Sequence, residues 1–140
     1  AGARARSVGG GRLPAAAASL IREADTLFLA TGFVGGPGVP TDAAQLGMDA
    51  SHRGGAPGFV RMVAAEDGGA TVLSFVDLPG NGHFNTIGNL VADSRVGLLF
   101  TDFARGTLLH ISGTASVAFG VPRSDMRTVT VRVSSHVLRR

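Results

Sequence analysis

The chain has 140 residues, a length that suits one domain with a buried core of its own. It contains no Cys, which excludes disulfides and thiolate metal sites. All 13 basic residues are Arg and they are scattered along the chain, so the formal charge of +3 does not indicate nucleic-acid binding.

Hydropathy narrows the class of protein further. A hydrophobic content of 44% and a mean hydropathy of +0.26 exclude a disordered chain. No apolar run is long enough to cross a bilayer, and the N-terminus lacks the apolar core of a signal peptide. We therefore expect a cytoplasmic protein without a membrane partner.

The first third of the chain contains one predicted helix and one predicted strand. Residues 1–12 are small, polar and rich in Gly, and we interpret them as a flexible tail before a domain over 13–140. Good helix formers after a favourable Pro predict a helix over 14–24. A buried strand is predicted over 26–31, and the Gly- and Pro-rich residues 32–48 predict a long loop.

The rest of the chain predicts strands joined by short turns. Strands over 59–65 and 70–76 flank a hairpin turn over 66–69. The remaining predicted elements are a turn over 77–82, a helix over 86–92, and strands over 95–101, 108–119 and 127–138, with a bulge at Gly113. Six strands in short antiparallel connections predict a mainly β protein with a closed or nearly closed barrel.

A Gly-rich segment, SHRGGAPGFV, precedes the hairpin. Its glycines permit sharp turns or close approach to a ligand, and we interpret Ser51, His52 and Arg53 as part of a rigid loop beside a cofactor ring or substrate. A purely structural role for that loop is an equal alternative. A hydrolase is disfavoured, because adjacent Ser and His seldom meet as nucleophile and base and the G-x-S-x-G elbow is absent.

The order of five short segments resembles the FMN-binding split-barrel family, whose best known member is pyridoxamine 5'-phosphate oxidase. The segments are SHRGGAPGFV (51–60), RMV (61–63), FNTIGNL (84–90), SRVGLLF (94–100) and GTA (113–115). The resemblance implies a six-stranded antiparallel Greek-key split barrel with two or three short helices. It also implies a homodimer with FMN at its interface, passing hydride or electrons from a small-molecule substrate or a nicotinamide donor.

The resemblance also assigns cofactor-binding residues. It places the FMN phosphate on Arg61 and at the helix start, where Asn85 and Thr86 replace the basic pair of the oxidase. The positions it implies beside the flavin ring are Met62 and Val63 through their backbone, Phe75, Val76 and Leu108. Without the resemblance, we expect Asn85 and Thr86 to cap the helix and Arg61 to face solvent from its strand.

Other functions remain open on the sequence alone. A related barrel can bind a deazaflavin or haem, can act as a flavin store or sensor, or can have lost its cofactor. The four histidines show no metal-ligand spacing, and no residue is assigned as a catalytic acid or base.

Overall fold

The computed structural model describes residues 6–33, 35, 47–64, 68–77, 85–120 and 126–140. They form one eight-stranded antiparallel sheet and two helices. The strands are β1 (Arg6–Gly9), β2 (Thr26–Phe33), β3 (Gly47–Gly54), β4 (Arg61–Ala64), β5 (Thr71–Asp77), β6 (Arg95–Asp102), β7 (Thr107–Phe119) and β8 (Arg127–Arg139). The helices are α1 (Ala15–Glu23) and α2 (Asn85–Ala92).

The strand order confirms the Greek-key arrangement. The sheet runs β3-β2-β6-β7-β8-β5-β4, and β1 pairs with β8 beside this path. Strands β5 and β6 follow each other in the chain, yet β7 and β8 separate them in the sheet. The consecutive strands β6, β7 and β8 are neighbours in the sheet, and β5 lies beside β8. This order is that of a Greek key. The fold is therefore mainly β and split-barrel-like, with eight strands where the sequence predicted six.

Alternation of apolar and polar residues explains which face of the sheet is buried. In β7 the side chains of Leu109, Ile111 and Ala115 are buried, and those of His110, Ser112 and Thr114 are exposed. The predicted irregularity at Gly113 is confirmed, because the register of β7 and β8 shifts between Ser112 and Gly113. A Cβ at Gly113 would clash with the backbone carbonyl oxygen of Arg132, so only Gly fits there.

The two helices pack on the core through their apolar faces. Helix α1 follows Pro14 and buries Ala17, Leu20 and Ile21, close to the predicted range of 14–24. Helix α2 buries Ile87 and Leu90. Within the described residues, neither helix is long and apolar enough to cross a membrane.

Two strands lie where the sequence predicted irregular chain. Residues 6–9 form β1, where we expected part of a flexible tail, and Gly11 accepts a backbone hydrogen bond from Thr71 at 2.9 Å. Residues 47–54 form β3, which pairs with β2 throughout its length. The prediction of a Gly-rich loop for Ser51, His52 and Arg53 is therefore wrong. Residues 1–5, 36–46 and 78–84 of the predicted tail, loop and turn lie outside the described residues.

Candidate functional site

The outer face of the β4–β5 hairpin carries an exposed cation. Arg61 pairs with Ser74 across the hairpin, and Ser74 in turn pairs with Thr130 of β8. The Arg61 side chain is exposed and has no hydrogen-bond or ion-pair partner within the part of the chain that the structure describes. Its guanidinium is therefore available to an anion from outside the chain.

Apolar side chains surround that cation. Val63 follows Arg61 on the same face of β4 and is 56% exposed, and Val76 of β5 is 48% exposed. Exposed valines are common on protein surfaces, and the feature here is that they lie beside an Arg without a partner among the described residues. The combination suits a ligand that joins an anionic group to a flat apolar body.

The intervening residues face the opposite side of the sheet. Met62 packs against the core, and Phe75 is 2% exposed within it. Of the predicted ring-side residues on the hairpin, Met62 and Phe75 can therefore offer only their backbone to a ligand. Arg61, Val63 and Val76 can offer their side chains.

A second group of predicted residues lies on the inner face of β3. Asp49, Ser51 and Arg53 occupy alternate positions and are half-buried, whereas the residues between them are exposed. Arg53 donates from Nη1 to Ser51 Oγ at 3.0 Å and from Nε to Asp77 Oδ1 at 2.5 Å. Ser51 Oγ lies 3.2 Å from Thr86 Oγ1, so β3 is hydrogen-bonded to α2.

The Arg53–Asp77 ion pair also joins β3 to β5, and we call this contact between the two strands the seam of the barrel. Strand β3 begins the sheet path and β5 lies near its other end, so they are not neighbours in the sheet. Their contact requires the sheet to curl until β3 faces β5. Asp77 is buried, and its Oδ2 lies 3.3 Å from Nη2 of Arg127, so one carboxylate holds two guanidinium groups.

Thr86 does not present its hydroxyl to a phosphate. The side chain is buried, and Oγ1 donates a hydrogen bond to the Asp49 carboxylate. An internal carboxylate therefore takes the place that the resemblance gives to the phosphate. Helix α2 begins at Asn85, whose side chain lies outside the described atoms.

The other two predicted residues lie apart from both groups. His52 is exposed on the outer face, with its ring centroid 6.5 Å from that of Phe28. Leu108 is half-buried in β7, between Thr101 and Arg139 in the strand register. Hydrogen bonds thus bring together Ser51, Arg53 and Thr86, and they join none of these three to Arg61 within the described chain.

Sequence reasoning missed four residues of these groups: Ser74, Asp49, Asp77 and Arg127. A signal for one of them was present, because Asp49, Ser51 and Arg53 alternate with a period of two, which is typical of a strand with a polar inner face. Asp77 and Arg127 are 50 positions apart in the chain, and no local pattern connects them.

The outer face also contains a groove of about 600 Å³ across β2, β6 and β7. Its floor includes Ala30, Gly97 and Ser112, which pair in one row of the sheet. The volume is in the range of small-molecule sites. None of the predicted site residues lines this groove.

The carboxyl groups with clearly lowered pKa lie in surface ion pairs away from both groups. Hydrogen bonds from the Arg95 side chain and backbone lower the pKa of Asp93 to about 2. The backbone and guanidinium of Arg105 likewise lower the pKa of Asp102. These shifts stabilise turns and do not indicate an acid or base at the candidate site.

The residues present fit an FMN-like ligand on one surface and not on the other. The hairpin face offers a guanidinium without a partner among the described residues, a hydroxyl and exposed apolar side chains, which match a phosphate and a flat ring. The start of α2 offers a hydroxyl already bound to a carboxylate. We therefore take the outer face around Arg61, Val63, Ser74 and Val76, here called the hairpin face, as the candidate site.

Comparisons with known proteins support the fold. No protein-family model matches the chain, and no curated protein matches it. Among solved structures, a candidate pyridoxamine 5'-phosphate oxidase from Lactobacillus delbrueckii is 14% identical with a TM-score of 0.61, covering 90% of this chain and 93% of that one.

Two further structures are of HupZ from Group A Streptococcus. One is 13% identical with a TM-score of 0.54, covering 83% of this chain and 85% of that one. The other, a variant of HupZ with one histidine replaced by alanine, is 11% identical with a TM-score of 0.55, covering 86% and 93%. The chain thus has the split-barrel-like fold of these proteins, and at such identities the likeness establishes the fold alone.

Proposed function

We propose that the chain is an FMN-binding flavoprotein, an oxidoreductase that passes hydride or electrons through the flavin. The observation that carries the proposal is Arg61, an exposed cation without an internal partner among the described residues, on an apolar strand surface. The fold shared with a candidate pyridoxamine 5'-phosphate oxidase supports it.

Each part of the hairpin face has a role in this proposal. The Arg61 guanidinium and the Ser74 hydroxyl opposite it would hold the FMN phosphate by hydrogen bonds. Val63 and Val76 exclude water from one side of the isoalloxazine. The backbone at Met62 would bind the polar edge of the ring.

When bound, FMN would supply the hydride or electron transfer, and the protein would bind and orient it. The hairpin face is open to solvent, so it covers a flat ligand on one side only. A second copy of the chain covers the other side in this proposal, which makes the protein a homodimer. A small-molecule substrate or nicotinamide donor then reaches the ring at the edge of the dimer.

The first experiment is an absorbance spectrum of the purified protein, with mass spectrometry of whatever heat releases. We expect stoichiometric FMN. Arg61→Ala should weaken FMN binding roughly ten- to a hundredfold, because one charge-assisted anchor is lost. The unfolding temperature should stay close to that of the wild type, since Arg61 has no internal partner among the described residues.

Arg22→Ala is the matched control, because Arg22 is an exposed arginine on α1 and its loss changes the net charge equally. It should leave FMN affinity unchanged. A colourless protein that also fails to take up added FMN would overturn the proposal. A haem or deazaflavin spectrum would instead assign the barrel to another cofactor.

A further inference from the structure

We infer that Asp49 is a specificity-determining residue that keeps phosphate away from the start of helix α2. Where it concerns the flavin phosphate, the inference rests on the proposed function, in which Arg61 binds that phosphate. It concerns the polar cluster formed by Asp49, Ser51, Arg53, Asp77, Thr86 and Arg127, which the proposed site does not use.

The residues around the start of α2 would bind an anion if Asp49 were absent. Thr86 and Ser51 contribute hydroxyl groups 3.2 Å apart, and Arg53 contributes a guanidinium. The first backbone amides of an α-helix lack partners within the helix and carry partial positive charge. Hydroxyls, a guanidinium and a helix N-terminus together are the usual components of a phosphate site.

These donors are already bound within the chain, and Asp49 binds the Thr86 hydroxyl. Its Oδ2 accepts the single proton of the Thr86 hydroxyl, and Thr86 is 1% exposed. Arg53 directs Nε to Asp77 and Nη1 to Ser51, so its fork is also engaged within the chain. An entering phosphate would have to displace a carboxylate from a buried hydroxyl and break an existing ion pair.

The charges of the cluster lead to the same conclusion. Arg53 and Arg127 both pair with Asp77, and Asp49 adds a second negative charge beside Thr86, so the four formal charges of the cluster sum to zero. A phosphate placed on Thr86 would lie beside the like charge of Asp49, in a half-buried site where screening by water is weak. Arg61 has no neighbouring carboxylate bound to it in the described chain, and it attracts the same phosphate without this opposition.

The test compares FMN with riboflavin, which lacks the phosphate. Binding is measured by quenching of flavin fluorescence in wild type, Asp49→Asn, Thr86→Val and the double variant. Asp49→Asn removes the charge that repels phosphate and replaces one carboxylate oxygen with an amide N–H₂ donor, in a side chain of the same shape. We expect it to raise the affinity of the α2 region for FMN, and not for riboflavin, about tenfold. Because one phosphate cannot contact both α2 and Arg61, the gain appears as a second FMN site that raises the preference for FMN over riboflavin.

The companion variants determine whether the gain arises at α2. Thr86→Val alone should leave FMN affinity at the wild-type value, and the double variant should lose the gain. Asp25→Asn, which alters an exposed carboxylate after α1, controls for net charge and should change nothing. An unchanged preference in Asp49→Asn would overturn the inference. Weaker FMN binding in Thr86→Val would also overturn it, even if Asp49→Asn fails to fold.

A measurement with inorganic phosphate separates this inference from the proposed function. In an Arg61→Ala background, which removes the proposed anchor, phosphate should raise the unfolding temperature when Asp49 is replaced by Asn and leave it unchanged when Asp49 is kept, because a ligand stabilises the state it binds. If no variant binds flavin, the proposed function fails and the phosphate measurement alone decides the role of Asp49. A phosphate-induced rise in the wild type that Thr86→Val abolishes would overturn the inference.

Discussion

The hairpin face and the polar cluster contain the same kinds of side chain in opposite situations. Arg61 on the hairpin face is exposed and has no partner within the described chain. Arg53 in the cluster is bound to a buried carboxylate and a hydroxyl. Both arginines were candidate ligand-binding residues in the sequence, and only their partners distinguish them.

The difference shows how a buried polar network is separated from a binding surface. In the cluster the guanidinium groups of Arg53 and Arg127 share the Asp77 carboxylate, so these groups stabilise the seam between β3 and β5. On the hairpin face the charge is left unpaired, among the described residues, beside exposed valines. A group without an internal partner loses only bound water when it engages a ligand, whereas a paired group must also lose its partner.

The largest effect should come from the centre of the cluster. Asp77→Ala leaves Arg53 and Arg127 facing each other without their shared carboxylate. Breaking a buried ion pair in this way lowers the free energy of unfolding by about 3–5 kcal/mol. Urea denaturation followed by circular dichroism measures the loss.

Asp93→Ala provides the comparison for that variant. Asp93 pairs with Arg95, whose side chain is 72% exposed, and exposed pairs contribute little to stability. Its urea midpoint should fall by much less than that of Asp77→Ala. Equal losses in both variants would contradict the view that the cluster holds the seam together.

An intermediate effect is expected from a carboxylate placed opposite Arg61. Ser74→Glu introduces a cross-strand ion pair, because Ser74 and Arg61 face each other in the register of β4 and β5. The pair neutralises the guanidinium, and FMN affinity should fall about tenfold. Isothermal titration with FMN measures it. Ser74→Gln, of the same size without the charge, should bind FMN much more tightly than the Glu variant.

The smallest effect concerns an ion pair that belongs to neither region. Asp93 has its pKa lowered from 3.8 to about 2 by hydrogen bonds from Arg95. A lowered folded-state pKa means that the pair contributes above the unfolded value and loses its contribution as the pH falls toward 2. A carboxyl NMR titration should place the Asp93 midpoint near 2. Arg95→Gln should return it toward 3.8, and an unchanged midpoint would contradict this cause.

Much of the fold was predictable because its signals are local. The β4–β5 hairpin, β6, β7 and β8 alternate apolar and polar residues, and their predicted bounds lie within a few residues of those observed. Strand β3 escaped prediction because its inner face meets the hydrogen-bonding side chains of α2 and β5. The alternating inner residues of β3 are polar, so a search for buried apolar residues alone assigns the segment to a loop.

The candidate site was predictable only in part. Arg61, Val63 and Val76 were selected through the family resemblance, and the structure places their side chains on the outer face. Thr86 was selected in the same way, and the structure binds its hydroxyl to Asp49. Asp49 and Thr86 are 37 positions apart, so no sequence window shows that one would satisfy the other.

The sequence by itself determined that the chain forms an antiparallel, mainly β fold, because the side-chain period of two and the turn residues are local properties. Only the tertiary structure decided which polar groups remain available to a ligand. Curling of the sheet brings Arg53 to Asp77 and α2 brings Thr86 to Asp49, while Arg61 stays outside. Pairing of buried charges depends on distances through space, and the order of residues along the chain does not encode those distances locally.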